Sequence, residues 1–304
     1  MAVYTKLIHQ LFENIDKNNI PKKMDLVLDS GAFNGMYMYG TLLYIKELEN
    51  KKFTTIDRIS GSSVGALLGC FYALNKLHVF EEIYHELRET VNNTIQLAHI
   101  NPIIEREINK IGKNAYQLVN NKLHINYIDI QLKKEIIVST FTNNDDLLDK
   151  LNKSTFIPIL TNNDLTYKNC VDATCPHIFP ERIIGNHILF IDIWKIGTLK
   201  TMLKTVKDVN LVGRTFEGIM DIQEFFFKNT PSQMCSYVND WNIIHYTKFR
   251  IRELLWLLCV YIIHLLIECN KYIPDQIKTS LYTSTIHDFS LKCIKDIICC
   301  FIAK

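Results

Sequence analysis

The sequence predicts an α/β protein with a central, mainly parallel sheet flanked by helices and a helical C-terminal extension. Two short apolar runs each end in a turn of small residues and lead into a helical pattern. This strand–helix–strand–helix order is typical of parallel sheets. Further strand patterns continue to residue 193, and beyond residue 196 apolar residues recur mainly at helical spacing, which predicts the extension.

The first strand–helix unit follows an N-terminal helix. Residues 1–20 place apolar side chains at helical spacing, and Pro21 ends that pattern. Residues 25–28 form a short apolar run, which predicts a buried strand, and residues 29–31 supply the turn after it. A helix is expected next, over residues 36–48.

The second unit has the same order. Residues 56–59 predict a strand that ends at a small-residue turn, and residues 66–74 are apolar on nearly all sides, which predicts a buried helix. Later patterns predict helices over 78–121 and 145–152, strands within 123–140 and over 187–193, and a short extended stretch ending at Asp172.

We expect one α/β core rather than several independent domains, because the chain shows no internal repeat and no low-complexity linker. The predicted division is an N-terminal helix over residues 1–23, the α/β core over residues 24–195, and a helical C-terminal part over residues 196–304 packed on the core.

Composition limits the partners and the compartment. The net charge of +2 gives no field that would favour nucleic acid. Nine cysteines lack the regular spacing of a secreted disulfide scaffold, and the N-terminus has no basic stretch followed by an apolar one. We therefore expect a cytoplasmic protein with reduced thiols.

Two segments leave contact with membranes open. Residues 254–267 read LLWLLCVYIIHLLI, which is shorter than the ~20 residues of a membrane span. They predict either a buried core helix or a helix that docks on lipid. Residues 195–207 combine an apolar stripe with lysines, which is typical of a solvated face or of a helix on anionic lipid.

The motif Gly61-Ser62-Ser63-Val64-Gly65 is the strongest chemical signal. In a G-x-S-x-G motif, the serine stands on a sharp strand-to-helix turn with its hydroxyl in the open, and the glycines relieve crowding between strand and helix. Ser63 is the expected nucleophile, because it lies midway between Gly61 and Gly65, whereas Ser62 does not.

Two further segments carry weaker signals. The turn over residues 29–35, with sequence DSGAFNG, can present backbone N–H groups to an anion. It lacks both the G-K-[ST] of a P-loop and the G-x-G-x-x-G of a dinucleotide site. Asp172, at the end of an extended stretch, can serve as a base or as a helix cap.

Together these segments resemble the patatin-like phospholipase family, which carries D-G-G-G-x-R/K-G, then G-x-S-x-G, then D-G-G or D-G-A. Here the corresponding segments are residues 29–35, the serine motif within residues 54–69, and Asp172. Gly40 fits the family pattern, and residues 145–158 look like the segment that leads to the family's A-S-x-x-I-P motif. The resemblance covers roughly residues 24–195.

The resemblance implies a patatin-like fold and a serine esterase that uses a Ser63–Asp172 dyad without histidine. The N–H groups of Gly31, Ala32 and Phe33 would form the oxyanion hole, and the other motif glycines would be Gly35, Gly61 and Gly65. The expected substrate is a fatty acyl ester, such as a phospholipid, hydrolysed through an acyl-enzyme. Neither a cofactor nor a metal is expected.

Three alternatives remain at this stage. The first is a degenerate protein that binds lipid or a partner without turnover. It is suggested by Ser30 and Ala32, which replace family glycines, and by Asn34, which replaces the basic residue. A Ser–His–Asp triad is another, with His177, His187, His245 and His264 as the candidate histidines. Zinc at Cys170, Cys175 and His177 is the third, although a matching second ligand pair is missing.

Overall fold

A computed structural model describes residues 2–13, 15–94, 100–158, 161–162, 164–180, 183, 185–194 and 211–272. The helices in this part of the chain are α1 (Ala2–Phe12), α2 (Gly35–Asn50), α3 (Val64–Ala73), α4 (His78–Thr94), α5 (Ile100–Ile111), α6 (Ala115–Val119), α7 (Asn144–Ser154), α8 (Leu211–Lys228) and α9 (Ile243–Tyr272). The strands are β1 (Lys23–Leu28), β2 (Thr55–Gly61), β3 (Leu123–Asp129), β4 (Lys134–Val138), β5 (Cys170–Asp172), β6 (His187–Ile191) and β7 (Cys235–Tyr237).

The sheet confirms the predicted fold class. Its strands follow the order β4-β3-β2-β1-β6-β7, with β5 also paired to β3. The four central strands, β3, β2, β1 and β6, are parallel, and the three others join antiparallel at its margins. Because parallel strands end at the same edge, the turns that follow β1 and β2 lie side by side there.

Both sequence-predicted strand–helix units are present in the structure. The β1 side chains from Met24 to Leu28 are buried, and α3 is buried along its length from Val64 to Tyr72. Burial on all sides explains why these segments read as continuous apolar runs. The N-terminal helix also packs on the core, through Tyr4 and Ile8.

Helices α2 and α8 approach each other closely through two glycines. A Cβ at Gly40 would overlap the carbonyl oxygen of Thr215, and one at Gly218 would overlap the carbonyl oxygen of Tyr37. Thr41 bridges the two helices by donating its hydroxyl to the carbonyl of Gly218 at 3.2 Å. The fit of Gly40 to the family pattern therefore has a packing reason.

Two elements differ from the sequence prediction. The helix expected over residues 1–20 ends at Phe12, and a short 3₁₀ turn follows at Lys17–Asn19. The C-terminal part is not purely helical, since β7 pairs with β6 and extends the sheet. A three-residue strand is too short to show a period of two in the sequence. The division into parts at residues 23 and 195 stays a prediction.

Helix α9 has two unlike faces. Its inner face packs on the sheet through Phe249 and Val260. Among the described side chains of residues 254–267, only Val260 is buried, so the interpretation of this segment as a buried core helix is wrong for most of its length. Its outer face is apolar and exposed, with Ile251, Leu254, Leu255, Leu258, Ile262 and Leu265 at 45–64% exposure. Among the described helices, none is long and apolar enough to cross a bilayer. The lysine-flanked stripe of residues 195–207 lies outside the described residues.

Candidate active site

Ser63 stands on the turn between β2 and α3. Its backbone angles are φ 54° and ψ −125°, a conformation that L-residues rarely adopt and that stores strain of about 1–3 kcal/mol. Its N–H donates to the Ser154 hydroxyl at 3.1 Å. A Cβ at Gly61 would overlap the Gly65 carbonyl, and one at Gly65 would overlap that of Leu28. Both glycines therefore permit this tight turn.

Asp172, at the end of β5, lies close to the serine pair. It accepts a hydrogen bond from the Ser62 hydroxyl at 3.1 Å and one from the Thr174 N–H at 2.7 Å, and the Ser63 side chain lies near enough to lower its pKa. The carboxylate is 2% exposed. The sequence-predicted nucleophile and base are thus brought together although 109 positions separate them in the chain.

Burial tunes the carboxylate. Desolvation raises the pKa of Asp172 to about 6, because the charged form is disfavoured in the interior, while the side chain of Ser63 and the hydrogen bonds from Thr174 and Ser62 act in the opposite direction. At neutral pH the group is mostly ionised and is more basic than an ordinary aspartate. Such a carboxylate suits proton transfer near pH 7.

The loop after β1, residues 29–35, faces the same serine. Its 3₁₀ turn at Ala32–Asn34 leads directly into α2, and Ala32 and Phe33 line the cleft that Ser63 lines. Ala32 has φ 44°, in the left-handed region, which costs an L-residue about 1–2 kcal/mol. The alanine thus keeps a conformation that favours glycine. A Cβ at Gly31 would overlap the side chain of Ile193.

The cleft beside Ser63 is apolar. It encloses a cavity of about 60 Å³, and about 550 Å³ when the space open to solvent is included. It is lined by Ala32, Phe33, Ser63, Val64, Leu67, Phe80, Ile83, Tyr84, Thr155 and Ile157. Ser62 is absent from this lining and is fully buried. Of the two adjacent serines, Ser63 is therefore the one open to a ligand.

None of the four candidate histidines is among the residues that line this cleft. His177 packs edge-on against Phe179, and His245 stacks on Trp241. Within the described ranges, no three His, Cys, Asp or Glu side chains are grouped as they would be around a metal ion. Cys175 instead accepts a hydrogen bond from Arg252 at 3.1 Å.

Several residues that hold the loop were missed by the sequence interpretation. Arg252 pairs with Asp29 through both of its terminal nitrogens, at 2.7 and 2.8 Å. Burial raises the pKa of the Asp29 carboxyl, and the guanidinium opposes this rise. Arg214 donates to the Phe33 carbonyl at 2.8 Å, and Trp194 donates to the Ser30 hydroxyl at 3.0 Å. No local motif marks these residues, because their partners lie far away in the sequence.

The sheet, the strained serine turn and the apolar cleft place the chain among α/β proteins that carry a serine at the carboxyl edge of a parallel sheet. The family model for patatin-like phospholipase matches residues 26–180, about half of the chain, and the protein belongs to this family. The resemblance inferred from the motifs is confirmed. Members of the family are generally hydrolases that act on lipid esters. A search among curated proteins returned no match.

Proposed function

We propose that the protein is a phospholipase A-type lipid acyl hydrolase, which cleaves fatty acyl esters of glycerophospholipids through Ser63 and Asp172. One observation carries the proposal. The Ser63 side chain lies near the buried Asp172 carboxylate, whose pKa it lowers, and at the same time lines an apolar cleft. Such a position suits an activated nucleophile beside a bound acyl chain.

The proposed reaction has two steps, acylation of Ser63 and hydrolysis of the acyl-enzyme. Asp172 accepts the hydroxyl proton as the Ser63 oxygen attacks the ester carbonyl, and backbone N–H groups of Gly31, Ala32 and Phe33 stabilise the oxyanion. The tetrahedral intermediate collapses, and the leaving alcohol takes the proton from Asp172. Water then loses a proton to Asp172 while attacking the acyl-enzyme, and the fatty acid leaves as Ser63 regains its proton.

The cleft favours an acyl chain over a polar group. Phe33, Leu67 and Ile83 line it with apolar surface, and no charged side chain is among its lining residues. A fatty acyl chain gains roughly 0.8 kcal/mol for each methylene buried there. The headgroup would remain outside the cleft.

We also propose a cytoplasmic location with peripheral contact to membranes. Among the cysteines whose side chains the structure describes, five are free and four of these are buried, which suits a reducing compartment. The exposed apolar outer face of α9 offers surface to lipid.

Product analysis by mass spectrometry on a phospholipid mixture tests the proposed function. Ser63→Ala and Asp172→Asn should each lower fatty acid release by at least about 1,000-fold, because nucleophile and base act as a unit. Ser60→Ala is the matched control, since this serine lies on the same strand, its hydroxyl has no hydrogen-bond partner within the described part of the chain, and it does not line the cleft. A fluorophosphonate ester should label the native chain at Ser63 and leave Ser63→Ala unlabelled.

Other outcomes point to other functions. A folded native chain that resists the fluorophosphonate and releases no fatty acid would support a binding protein without turnover. Full activity in Asp172→Asn, with activity lost on replacing one of the candidate histidines, would support a Ser–His–Asp triad instead.

A further inference from the structure

We infer that two arginines from the C-terminal helices, Arg252 of α9 and Arg214 of α8, are positioning residues for the oxyanion loop of residues 29–35. Both helices lie beyond the residues that the family model matches, 26–180. The catalytic unit of this protein would then include its C-terminal part. The inference rests on the function proposed above.

Arg252 holds the start of the loop. Its guanidinium makes a two-bond ion pair with Asp29, whose side chain is 0% exposed. The same carboxylate accepts the Ser30 N–H at 2.8 Å. A planar guanidinium that binds both oxygens fixes the orientation of the carboxylate as well as its position. The backbone path from Asp29 into Gly31 is thereby held.

Arg214 holds the end of the loop. It is 6% exposed and donates to the carbonyl of Phe33 at 2.8 Å, where the Tyr84 hydroxyl also donates at 2.8 Å. Two donors on one carbonyl fix the peptide plane that follows Phe33. The turn that contains Ala32 and Phe33 is therefore anchored at both ends.

Arg214 also brings a positive charge to a position where the loop lacks one. The family motif has a basic residue at the position of Asn34, and here the Arg214 guanidinium lies 3.4 Å from the Asn34 side-chain oxygen. The charge thus comes from another helix to nearly the same place. A cation beside the loop favours negative charge developing on the substrate oxygen.

The inner face of α9 reaches the base as well as the loop. Trp256, one helical turn after Arg252, donates its indole N–H to the backbone carbonyl of Asp172 at 2.7 Å. Arg252 in turn stacks on Trp194, whose indole N–H donates to the Ser30 hydroxyl. The helix therefore contacts both the loop of residues 29–35 and the backbone of Asp172.

The chain contains a matched ion pair for comparison. Arg58 pairs with Asp25 at 2.6 Å, with the arginine 18% and the aspartate 0% exposed, against 21% and 0% for Arg252 and Asp29. Asp25 lies near the amino end of β1, whereas Asp29 follows its carboxyl end. The two pairs are alike in burial and chemistry, but only the second adjoins the loop.

The test compares Arg252→Gln, Arg214→Gln and Arg58→Gln in the full chain. The assay uses a soluble p-nitrophenyl butyrate ester, fluorophosphonate labelling and urea unfolding. We expect all three variants to be destabilised. Arg252→Gln and Arg214→Gln should lower kcat by about 100-fold with KM nearly unchanged, since a mis-aimed oxyanion donor acts on the transition state. Fluorophosphonate labelling of these two variants should slow in parallel. In Arg58→Gln, kcat per folded molecule should stay within about twofold of the native value.

Two further variants cover the case in which an arginine variant fails to fold. Arg252→Lys keeps the charge without the two-bond geometry and should give an intermediate kcat. Asn34→Arg added to Arg214→Gln should recover at least about fivefold in kcat, because the charge returns to the loop. The inference is overturned by two results together. Asn34→Arg does not restore kcat to Arg214→Gln, and Arg252→Gln or Arg252→Lys has the same kcat as Arg58→Gln. If the native chain neither hydrolyses the ester nor reacts with the fluorophosphonate at Ser63, the proposed function itself is contradicted.

Discussion

At Asp172, the buried environment that suits the carboxylate to its proposed role as base also lowers the free energy of unfolding. The group is 2% exposed, and burial holds its pKa at about 6, against 3.8 for an ordinary aspartate. The raised folded-state value means that folding favours the protonated form. The free energy of unfolding therefore falls as pH rises from about 4 through 6, because the buried carboxylate becomes ionised in the folded protein.

Asp172→Asn should raise the free energy of unfolding while it removes activity. The shift of the pKa from 3.8 to about 6 corresponds to a cost of about 3 kcal/mol at pH 8, and an amide of the same shape avoids that cost. We expect a gain of about 1–3 kcal/mol in urea unfolding at pH 8. The gain should vanish near pH 3.5, where Asp172 is protonated in both states. A variant that is less stable than the native chain at pH 8 would contradict this account of the carboxylate.

At the scale of elements, the contact between α2 and α8 links the loop to the C-terminal part. Helix α2 begins where the proposed oxyanion loop, residues 29–35, ends, and α8 carries Arg214. Gly40 and Gly218 let the two backbones approach each other, so Arg214 lies close enough to reach Phe33. The spacing of these helices therefore sets the geometry at one end of the loop.

Gly218→Ala should force the two helices apart. Its Cβ would overlap the carbonyl oxygen of Tyr37, a backbone atom that cannot swing away as a flexible side chain can. We expect a loss of about 1–3 kcal/mol in urea unfolding and a fall in kcat, because Arg214 moves with α8. Met220→Ala is the control on the same helix, since Met220 is 48% exposed, and its effect should stay within about 0.5 kcal/mol. Equal stability of the two variants would show that the contact is not tight.

The sequence was most informative where its signal is local. Buried strands and the apolar helix α3 could be predicted from continuous apolar runs, and the serine turn from the spacing of Gly61 and Gly65. Arg252 could not be predicted as a site residue, because its partner Asp29 lies 223 positions away and only the fold joins them. The strand β7 was missed for a different reason, since three residues carry no measurable period.

For the whole molecule, helix α9 joins the site to the surface. Its inner face contacts Asp29 and Asp172, and its outer face exposes aliphatic side chains within the described part of the chain. Basic residues border this face: Lys248 is exposed, Arg250, which pairs with Glu253, is 68% exposed two residues later, and Lys133 lies over the ring of Tyr261. An apolar face with basic residues beside it suits a bilayer that contains anionic phospholipid.

Leu255→Glu combined with Leu258→Glu should release the protein from such a bilayer. Burying a leucine contributes about 2 kcal/mol, so two charged replacements should weaken vesicle binding by at least about 100-fold. The measurement is co-sedimentation with phosphatidylcholine vesicles, with and without phosphatidylserine. Hydrolysis of the soluble ester should stay unchanged, because neither leucine lines the cleft. Met220→Glu with Phe227→Glu, on exposed positions of α8, is the matched control. Unaltered vesicle binding would contradict contact between this face and lipid. A native dimer that dissociates in the leucine variant would show that the face binds a second copy of the chain instead.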